Sequence, residues 1–150
     1  MKRLFLITVL CLTLAASLAA CGADETEQPA LRIDTVALGA EPTFIDHTQE
    51  GVAMQLIAVK DADNAVRLAF NTCQTCGGSP YAWFEYIADD TLQCQSCGQT
   101  FRTATVGTAK AAGCNPVTIS DFTVDGDIVT VSADVLSSAK GMFKKWKALG

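Results

Sequence analysis

The sequence predicts a β-rich α+β fold, a small domain of β-hairpins that ends in one amphipathic helix. Runs of alternating apolar and polar residues are separated by turn signals such as Asp-Ala-Asp-Asn and Asp-Gly-Asp, a pattern typical of hairpins. The last segment changes to the period of an α-helix. Two copies of Cys-x-x-Cys-Gly lie between these regions and predict two cysteine knuckles within the β-rich part.

The first hairpin is predicted from residues 52–71. Residues 52–60 are rich in β-branched and aliphatic side chains, and residues 61–64 form a turn signal. Residues 65–71 alternate, with Val66, Leu68 and Phe70 on one face. This second strand delivers the chain directly into the first cysteine pair.

Three further elements follow along the chain. The aromatic-rich residues 81–87 predict a strand with Asp89-Asp90 as its turn, and residues 117–124 and 128–131 predict a second hairpin. Residues 133–149 predict a helix that Ser132 caps. The apolar face of this helix consists of Val135, Leu136, Ala139, Met142, Phe143 and Trp146.

The first twenty residues predict a secretory signal peptide, with a basic start, an apolar run over residues 4–20 and small residues before Cys21. The sequence Leu-Ala-Ala-Cys makes this segment resemble a bacterial lipoprotein signal, which implies cleavage before Cys21 and lipidation of that cysteine. The alternative is a transmembrane anchor, although the run is at the short limit for a span. We therefore expect a lipid-anchored protein of the bacterial cell envelope that faces the periplasm or the cell exterior.

The predicted mature chain has two parts. Residues 21–42, which are acidic and polar at first, are predicted to form the lipidated cysteine and a flexible tether. Residues 43–150 are predicted to form the folded domain. Since Lys2-Arg3 is not a twin-arginine pair, the chain is expected to cross the membrane unfolded and to acquire metal afterwards.

The amino-acid composition argues against several classes of function. Acidic residues outnumber basic ones 16 to 11, which argues against nucleic acid as a partner. A single histidine argues against a histidine-based metal site or catalytic triad. The chain has seven cysteines, so its chemistry is expected to depend on sulfur. Five of them lie after Cys21, namely Cys73, Cys76, Cys94, Cys97 and Cys114.

The two Cys-x-x-Cys-Gly motifs have the spacing of rubredoxin-like or zinc-ribbon-like knuckles, with 17 residues between Cys76 and Cys94. Two intervening residues let both sulfurs of a pair turn toward one ion, and the following glycine permits a positive φ. The thiolates of Cys73, Cys76, Cys94 and Cys97 would form a tetrahedral sulfur shell. Such a shell suits Zn²⁺, a single iron or an iron–sulfur cluster, so the pattern predicts metal without selecting which one.

Three other interpretations of these four cysteines stay open. In the first interpretation, the four cysteines form two structural disulfides in an oxidising compartment. A thioredoxin-like redox pair requires a helix after the motif, whereas Gly-Gly-Ser-Pro at residues 77–80 is a turn sequence. A structural zinc ion without redox chemistry is the third.

A fifth cysteine, Cys114, lies in the sequence Ala-Gly-Cys-Asn-Pro, with 16 residues between it and Cys97. A plain structural zinc ribbon has no use for it. In a redox site it would be a fifth ligand, a ligand exchanged between states, or a sulfur beside the metal. The alternative is a small buried apolar residue.

Taken together, these motifs resemble the FtrD-like membrane iron–sulfur protein family over roughly residues 52–146. The resemblance is carried by Phe-Asn-Thr-Cys-x-x-Cys-Gly at residues 70–77, Cys-x-x-Cys-Gly at 94–98, Val-Gly at 106–107 and Gly-Cys-Asn-Pro-Val at 113–117. It implies that residues 43–150 are an FtrD-like metal-binding domain. Its implied ligands are Cys73, Cys76, Cys94 and Cys97, with Cys114 as the additional family cysteine. Many relatives look like multi-span membrane proteins, whereas this sequence predicts a lipoprotein without spans.

The resemblance further implies electron transfer beside an envelope iron-transport system, together with a periplasmic iron oxidase and a permease. We therefore expect a non-enzymatic protein with an iron–sulfur centre or a single iron that passes single electrons. Its expected partners are the membrane, through Cys21, and iron-transport or redox proteins of the envelope. The alternatives are a structural zinc-ribbon module that binds a partner and a thiol–disulfide redox protein.

Overall fold

Three antiparallel sheets and one α-helix make up the fold of the described part of the chain. The structure is a computed structural model that describes residues 29–108 and 113–148. The strands are β1 (Leu31–Asp34), β2 (Thr43–Gln49), β3 (Val52–Lys60), β4 (Val66–Cys73), β5 (Phe84–Ala88), β6 (Thr91–Cys94), β7 (Thr100–Arg102), β8 (Pro116–Ile119), β9 (Thr123–Asp125) and β10 (Ile128–Val131). The helix α1 spans Ala133–Phe143. The predicted β-rich α+β class with one C-terminal helix is confirmed.

The central sheet has the strand order β2-β3-β4-β8. Its β3–β4 pair is the first predicted hairpin, which is confirmed. Asp61 forms the turn, because its Oδ1 accepts the backbone N–H groups of Asp63 and Ala65, each at 2.9 Å. Its Oδ2 accepts Arg67 Nε at 2.9 Å. These bonds fix the turn from which β4 runs to Cys73.

A second sheet has the order β1-β10-β9. The predicted hairpin around the Asp-Gly-Asp turn is confirmed as β9–β10, with Gly126 at φ +57°. The prediction of one strand over residues 117–124 is wrong in its length. The segment is divided into β8 in the central sheet and β9 in this sheet, because the chain changes sheets between Ile119 and Thr123.

The tether predicted for residues 21–42 is wrong at its C-terminal end. Residues 31–34 form β1, which pairs with β10 from Leu31 opposite Val131 to Asp34 opposite Ile128. The physical reason is an apolar alternation too short to stand out in the sequence: Ile33 is buried and faces the core, whereas its neighbours Arg32 and Asp34 are exposed. Cys21 and the signal segment lie outside the described residues.

The third sheet has the order β5-β6-β7 and presents the second cysteine motif. The strand predicted from residue 81 begins at Phe84, because the preceding residues turn, with Ala82 N–H donating to the Ser79 carbonyl at 3.1 Å. The predicted Asp-Asp turn is present between β5 and β6. Asp89 and Asp90 both adopt the left-handed region, at φ +47° and +57°.

The C-terminal helix begins as predicted, with Ser132 Oγ accepting Val135 N–H at 3.3 Å. It ends at Phe143, so the prediction that it runs to residue 149 is wrong. Trp146 N–H donates to the Phe143 carbonyl at 3.1 Å in a tighter turn, and Lys147 at φ +54° donates its N–H to Pro80. Within the described residues, no helix combines the length and apolar character that crossing a membrane requires.

Two apolar clusters lie on opposite faces of the central sheet. Leu56 and Ala58 of β3 face the cluster shared with the helix and the second sheet. Ile57 and Val59 face the cluster shared with the third sheet, which also contains Cys73 and Cys94. Because β3 is buried on both faces, its sequence is a nearly continuous apolar run. The second cluster anchors both cysteine motifs.

Candidate metal centre

Each Cys-x-x-Cys motif begins at the last residue of a strand, Cys73 at the end of β4 and Cys94 at the end of β6. The first turn is closed by Cys76 N–H, which donates to Cys73 Sγ at 3.4 Å. The second is closed by Gly98 N–H, which donates to the Cys94 carbonyl at 2.8 Å. In both turns the first cysteine is fixed by a strand and the second lies on the loop.

The glycines after the two motifs differ in conformation. Gly98 has φ +72°, as the sequence predicts for a residue leaving the turn. Gly77 is not in the positive-φ region, so the same prediction is wrong for the first motif, where the next residue, Gly78, has φ +88°. Gly77 is instead constrained by space, because a Cβ there would lie 3.2 Å from the Cys73 carbonyl oxygen.

Backbone contacts bring the two motifs and Cys114 together. Cys94 pairs with Phe84 across the third sheet, and Gln95 N–H donates to the Trp83 carbonyl at 2.8 Å. Gln74 N–H, inside the first motif, donates to the Asn115 carbonyl at 2.8 Å. The segment before β8 is thereby held against the first cysteine loop, and Cys114 enters the site from the central sheet.

The five sulfurs form two triads that share one member. The Sγ atoms of Cys73, Cys76 and Cys94 all lie within 4.8 Å of one another, and so do those of Cys76, Cys97 and Cys114. Within the second triad, Cys114 Sγ lies 3.1 Å from Cys97 Sγ and 4.0 Å from Cys76 Sγ. The structure thus brings together every cysteine predicted from the motifs, with Cys97 in the triad of Cys114.

Burial divides the same five residues. Cys73 and Cys94 have no exposed surface, Cys76 and Cys114 are half-buried, and Cys97 is exposed. All five are free thiols. The first triad therefore lies at the edge of the apolar core, and the second opens to solvent. Cys114 is half-buried rather than a core residue.

The pKa values of the cysteine thiols differ in the same way as their burial. Burial raises the pKa of the Cys73 and Cys94 thiols above the ordinary value. Backbone N–H donors from their own loops act in the opposite direction, but their effect is smaller. The pKa of Cys97 is lowered to about 7 by a backbone hydrogen bond from Gln99 and by the hydrogen bond with Cys114. That same bond raises the pKa of Cys114 to about 11. Cys97 is the thiolate most readily available to an incoming soft metal ion.

Asn71 is a positioning residue that the sequence analysis missed. It is completely buried, its Oδ1 accepts Phe84 N–H at 2.7 Å, and its Nδ2 donates to Gln55 Oε1 at 2.7 Å. Its carbonyl accepts Trp146 Nε1 at 2.8 Å. The residue ties β4 to β5, and hence Cys73 to the sheet that carries Cys94. An amide within an apolar strand two residues before a cysteine was the available signal.

The donor set is suited to a soft metal centre. Both triads consist only of cysteine sulfurs, the ligands preferred by iron–sulfur centres, single iron sites and zinc. Two sulfurs on one tetrahedral ion would lie about 3.8 Å apart for metal–sulfur bonds of about 2.3 Å. The triads meet this requirement with small adjustments of their side chains.

Two buried polar atoms next to these cysteines, Thr72 Oγ1 and Asn115 Nδ2, have no hydrogen-bond partner within residues 29–108 and 113–148. Thr72 precedes Cys73 and Asn115 follows Cys114. A buried donor such as Asn115 Nδ2 requires an acceptor. Such orphaned groups beside the sulfurs are also consistent with a centre that supplies additional acceptors.

The family match agrees with this donor set. Over residues 40–143 the chain matches the family described as "Membrane iron-sulfur containing protein FtrD-like". No curated protein matches the chain. Among solved structures, the crystal structure of the quaternary ammonium Rieske monooxygenase CntA in complex with an inhibitor is similar, with a TM-score of 0.41 and 14% sequence identity. That similarity covers 74% of this chain and 33% of the monooxygenase chain.

Proposed function

The chain belongs to the FtrD-like family of membrane iron-sulfur containing proteins, and from that premise we propose that its clustered cysteines hold an iron-containing centre that passes single electrons. The observation that carries the proposal is the convergence of five cysteine sulfurs into two triads that share Cys76. Family membership makes iron the expected metal, and the all-sulfur donor set is chemically suited to it.

The cysteines would hold the centre in a graded environment. Cys73 and Cys94 are the buried ligands that anchor the centre to the core, and Cys76 and Cys97, with Cys114, are its outer ligands. The two Cys-x-x-Cys segments would then act as knuckles of the rubredoxin or zinc-ribbon kind. An iron centre with thiolate ligands supplies one-electron redox chemistry when it is bound.

The protein's own groups would adjust that chemistry. Cys76 N–H donates to Cys73 Sγ. Hydrogen bonds of this kind stabilise the negative charge on a ligand sulfur, and therefore favour the oxidation state of the centre in which that charge is greater. Cys97 is exposed among the described residues, and this exposure would give an electron partner close access to the outer edge of the centre. We propose a carrier without catalytic residues, whose partners are redox or iron-transport proteins of the envelope.

We also propose that Cys21 carries the lipid that anchors the protein to an envelope membrane. The support is the Leu-Ala-Ala-Cys sequence after an apolar segment. A Cys21→Ala variant is expected to lose incorporation of labelled fatty acid, whereas Cys11→Ala, a change within the signal segment, is the matched control and should keep it. Equal incorporation in both variants would contradict lipidation at Cys21.

The electron-transfer proposal is tested on protein that has matured in its own envelope. Metal analysis should find iron, the absorption spectrum should contain thiolate-to-iron bands, and a redox titration should follow a reversible one-electron curve. Equimolar zinc without a redox response would indicate a structural zinc module instead. Two disulfides without metal would indicate a thiol–disulfide carrier.

A further inference from the structure

We propose that the five cysteines bind two metal ions, an inner ion held by Cys73, Cys76 and Cys94 and an outer ion held by Cys76, Cys97 and Cys114. The Cys76 thiolate would be a ligand of both ions. The inference rests on the metal binding in the proposed function and deepens it, because it assigns the number of ions and the ligands of each.

The grouping of the sulfurs is the first argument. A single four-sulfur shell would gather Cys97 with the three sulfurs of the inner triad. Cys97 also contacts Cys94, but the group of sulfurs within 4.8 Å of one another that contains Cys97 is completed by Cys76 and Cys114. Only Cys76 lies within 4.8 Å of all members of both sets, so it occupies the position of a bridge.

The number of ligands is the second argument. Five sulfurs exceed the four that a tetrahedral ion accepts, which leaves one without a metal if a single ion is bound. Two ions that share Cys76 use all five, each with three sulfurs and one further position for another ligand. A thiolate sulfur has several lone pairs and is soft, so it can bridge two soft ions.

Burial predicts that the two ions behave differently. Two ligands of the inner ion have no exposed surface, whereas the outer ion depends on exposed Cys97 and half-buried Cys114. A chelator can reach the outer ion directly. The outer ion is therefore expected to be lost first and the inner ion only afterwards.

The test uses the full chain, purified in detergent without oxygen, stripped of metal and titrated with cadmium-113 ions. Cadmium binds thiolates, has no redox chemistry and gives a resonance that reports its ligands and any metal neighbour. The native mass spectrum gives the number of ions per chain. Because no variant alters residue 11 or residue 21, differences between variants report the clustered cysteines alone.

The unmodified chain is expected to show two coupled cadmium resonances, since the Cys76 sulfur would connect the two nuclei. Cys97→Ser and Cys114→Ser should each lose the outer ion and keep the inner one. Neither side chain is buried, so both variants should fold, which circular dichroism checks. Ser96→Ala, an exposed position in the same loop as Cys97, is the matched control and should keep both ions.

One ion that is lost in Cys97→Ser and retained in Cys114→Ser would mean a single four-sulfur site and would overturn the proposal. Two resonances without coupling would overturn the shared Cys76 ligand. One cadmium ion in a protein that carries redox-active iron would refute the two-ion arrangement and leave the proposed function in place. Two coupled cadmium ions in a protein that acquires no iron in the envelope would support the two-ion arrangement and refute the proposed iron centre.

Discussion

The Sγ atoms of Cys97 and Cys114 lie 3.1 Å apart, although Cys97 is in the loop between β6 and β7 of the third sheet and Cys114 precedes β8 of the central sheet. The contact exists because Gln74 in the first cysteine loop binds the Asn115 carbonyl, while Gln95 in the second binds the Trp83 carbonyl. The outer half of the site is thus formed by residues distant in sequence.

Oxidation of the metal-free protein is expected to join Cys97 and Cys114 first. With glutathione disulfide as oxidant, the two thiols lose two protons and two electrons, their S–S bond forms, and the oxidant is reduced to two glutathione molecules. Peptide mapping by mass spectrometry identifies the pair. Metal-loaded protein is the control and should resist. Initial formation of a Cys73–Cys76 or Cys94–Cys97 bridge would contradict the prediction.

Replacement of Cys76 should be far more damaging than replacement of Cys114. Cys76→Ser removes the sulfur common to both triads, so we expect loss of metal and a lower melting temperature. Cys114→Ser should keep the fold and the inner metal while changing the redox behaviour. Metal content, calorimetry and voltammetry of both variants measure the difference. Equal losses of metal and of thermal stability would show that this division of roles is wrong.

Asn71→Ala should destabilise the domain by about 2–3 kcal/mol, because it leaves the buried Phe84 N–H without its acceptor. The change should also weaken metal binding, since Asn71 ties the Cys73 strand to the sheet of Cys94. Urea unfolding and metal titration measure the two effects. Gln74→Ala, which removes an exposed amide side chain, is the control, and an equally small effect of both changes would refute the role of Asn71.

Gly107→Ala should destabilise the fold by about 1–3 kcal/mol. Gly107 has φ +68°, and a Cβ there would lie 3.0 Å from Leu68 N, Leu68 O and Arg67 Cβ. Gly39 has open space around its Cβ position, so Gly39→Ala should change stability by less than about 0.5 kcal/mol. Thermal unfolding of the two variants compares them directly, and equal melting temperatures would show that the packing at Gly107 is not limiting.

The sequence was sufficient to predict the elements of secondary structure that have strong local signals. The β3–β4 hairpin follows from Asp61 and the apolar alternation around it, and the β9–β10 hairpin follows from the Asp-Gly-Asp turn. The cysteine spacing selected four of the five residues that converge, and the Gly-Cys-Asn-Pro motif added Cys114. For the two hairpins, the responsible interactions lie within a few residues of one another along the chain.

Other features depend on contacts that no local pattern reveals. Leu31–Asp34 is a strand only because β10, nearly a hundred residues later, offers an edge. The helix ends at Phe143 because Trp146 reaches back to the Asn71 carbonyl and Lys147 to that of Pro80. The grouping of Cys97 with Cys114 depends in the same way on how two sheets meet. The spacing of the two Cys-x-x-Cys motifs alone predicted one set of four ligands, without Cys114.

X-ray absorption at the iron edge, on protein matured in its own envelope, tests most directly whether these cysteines hold iron. We predict a first shell in which sulfur neighbours predominate, and loss of that signal in the Cys76→Ser variant. A first shell of oxygen or nitrogen neighbours, or a sulfur shell found only at the zinc edge, would contradict the assignment of an iron centre to these cysteines.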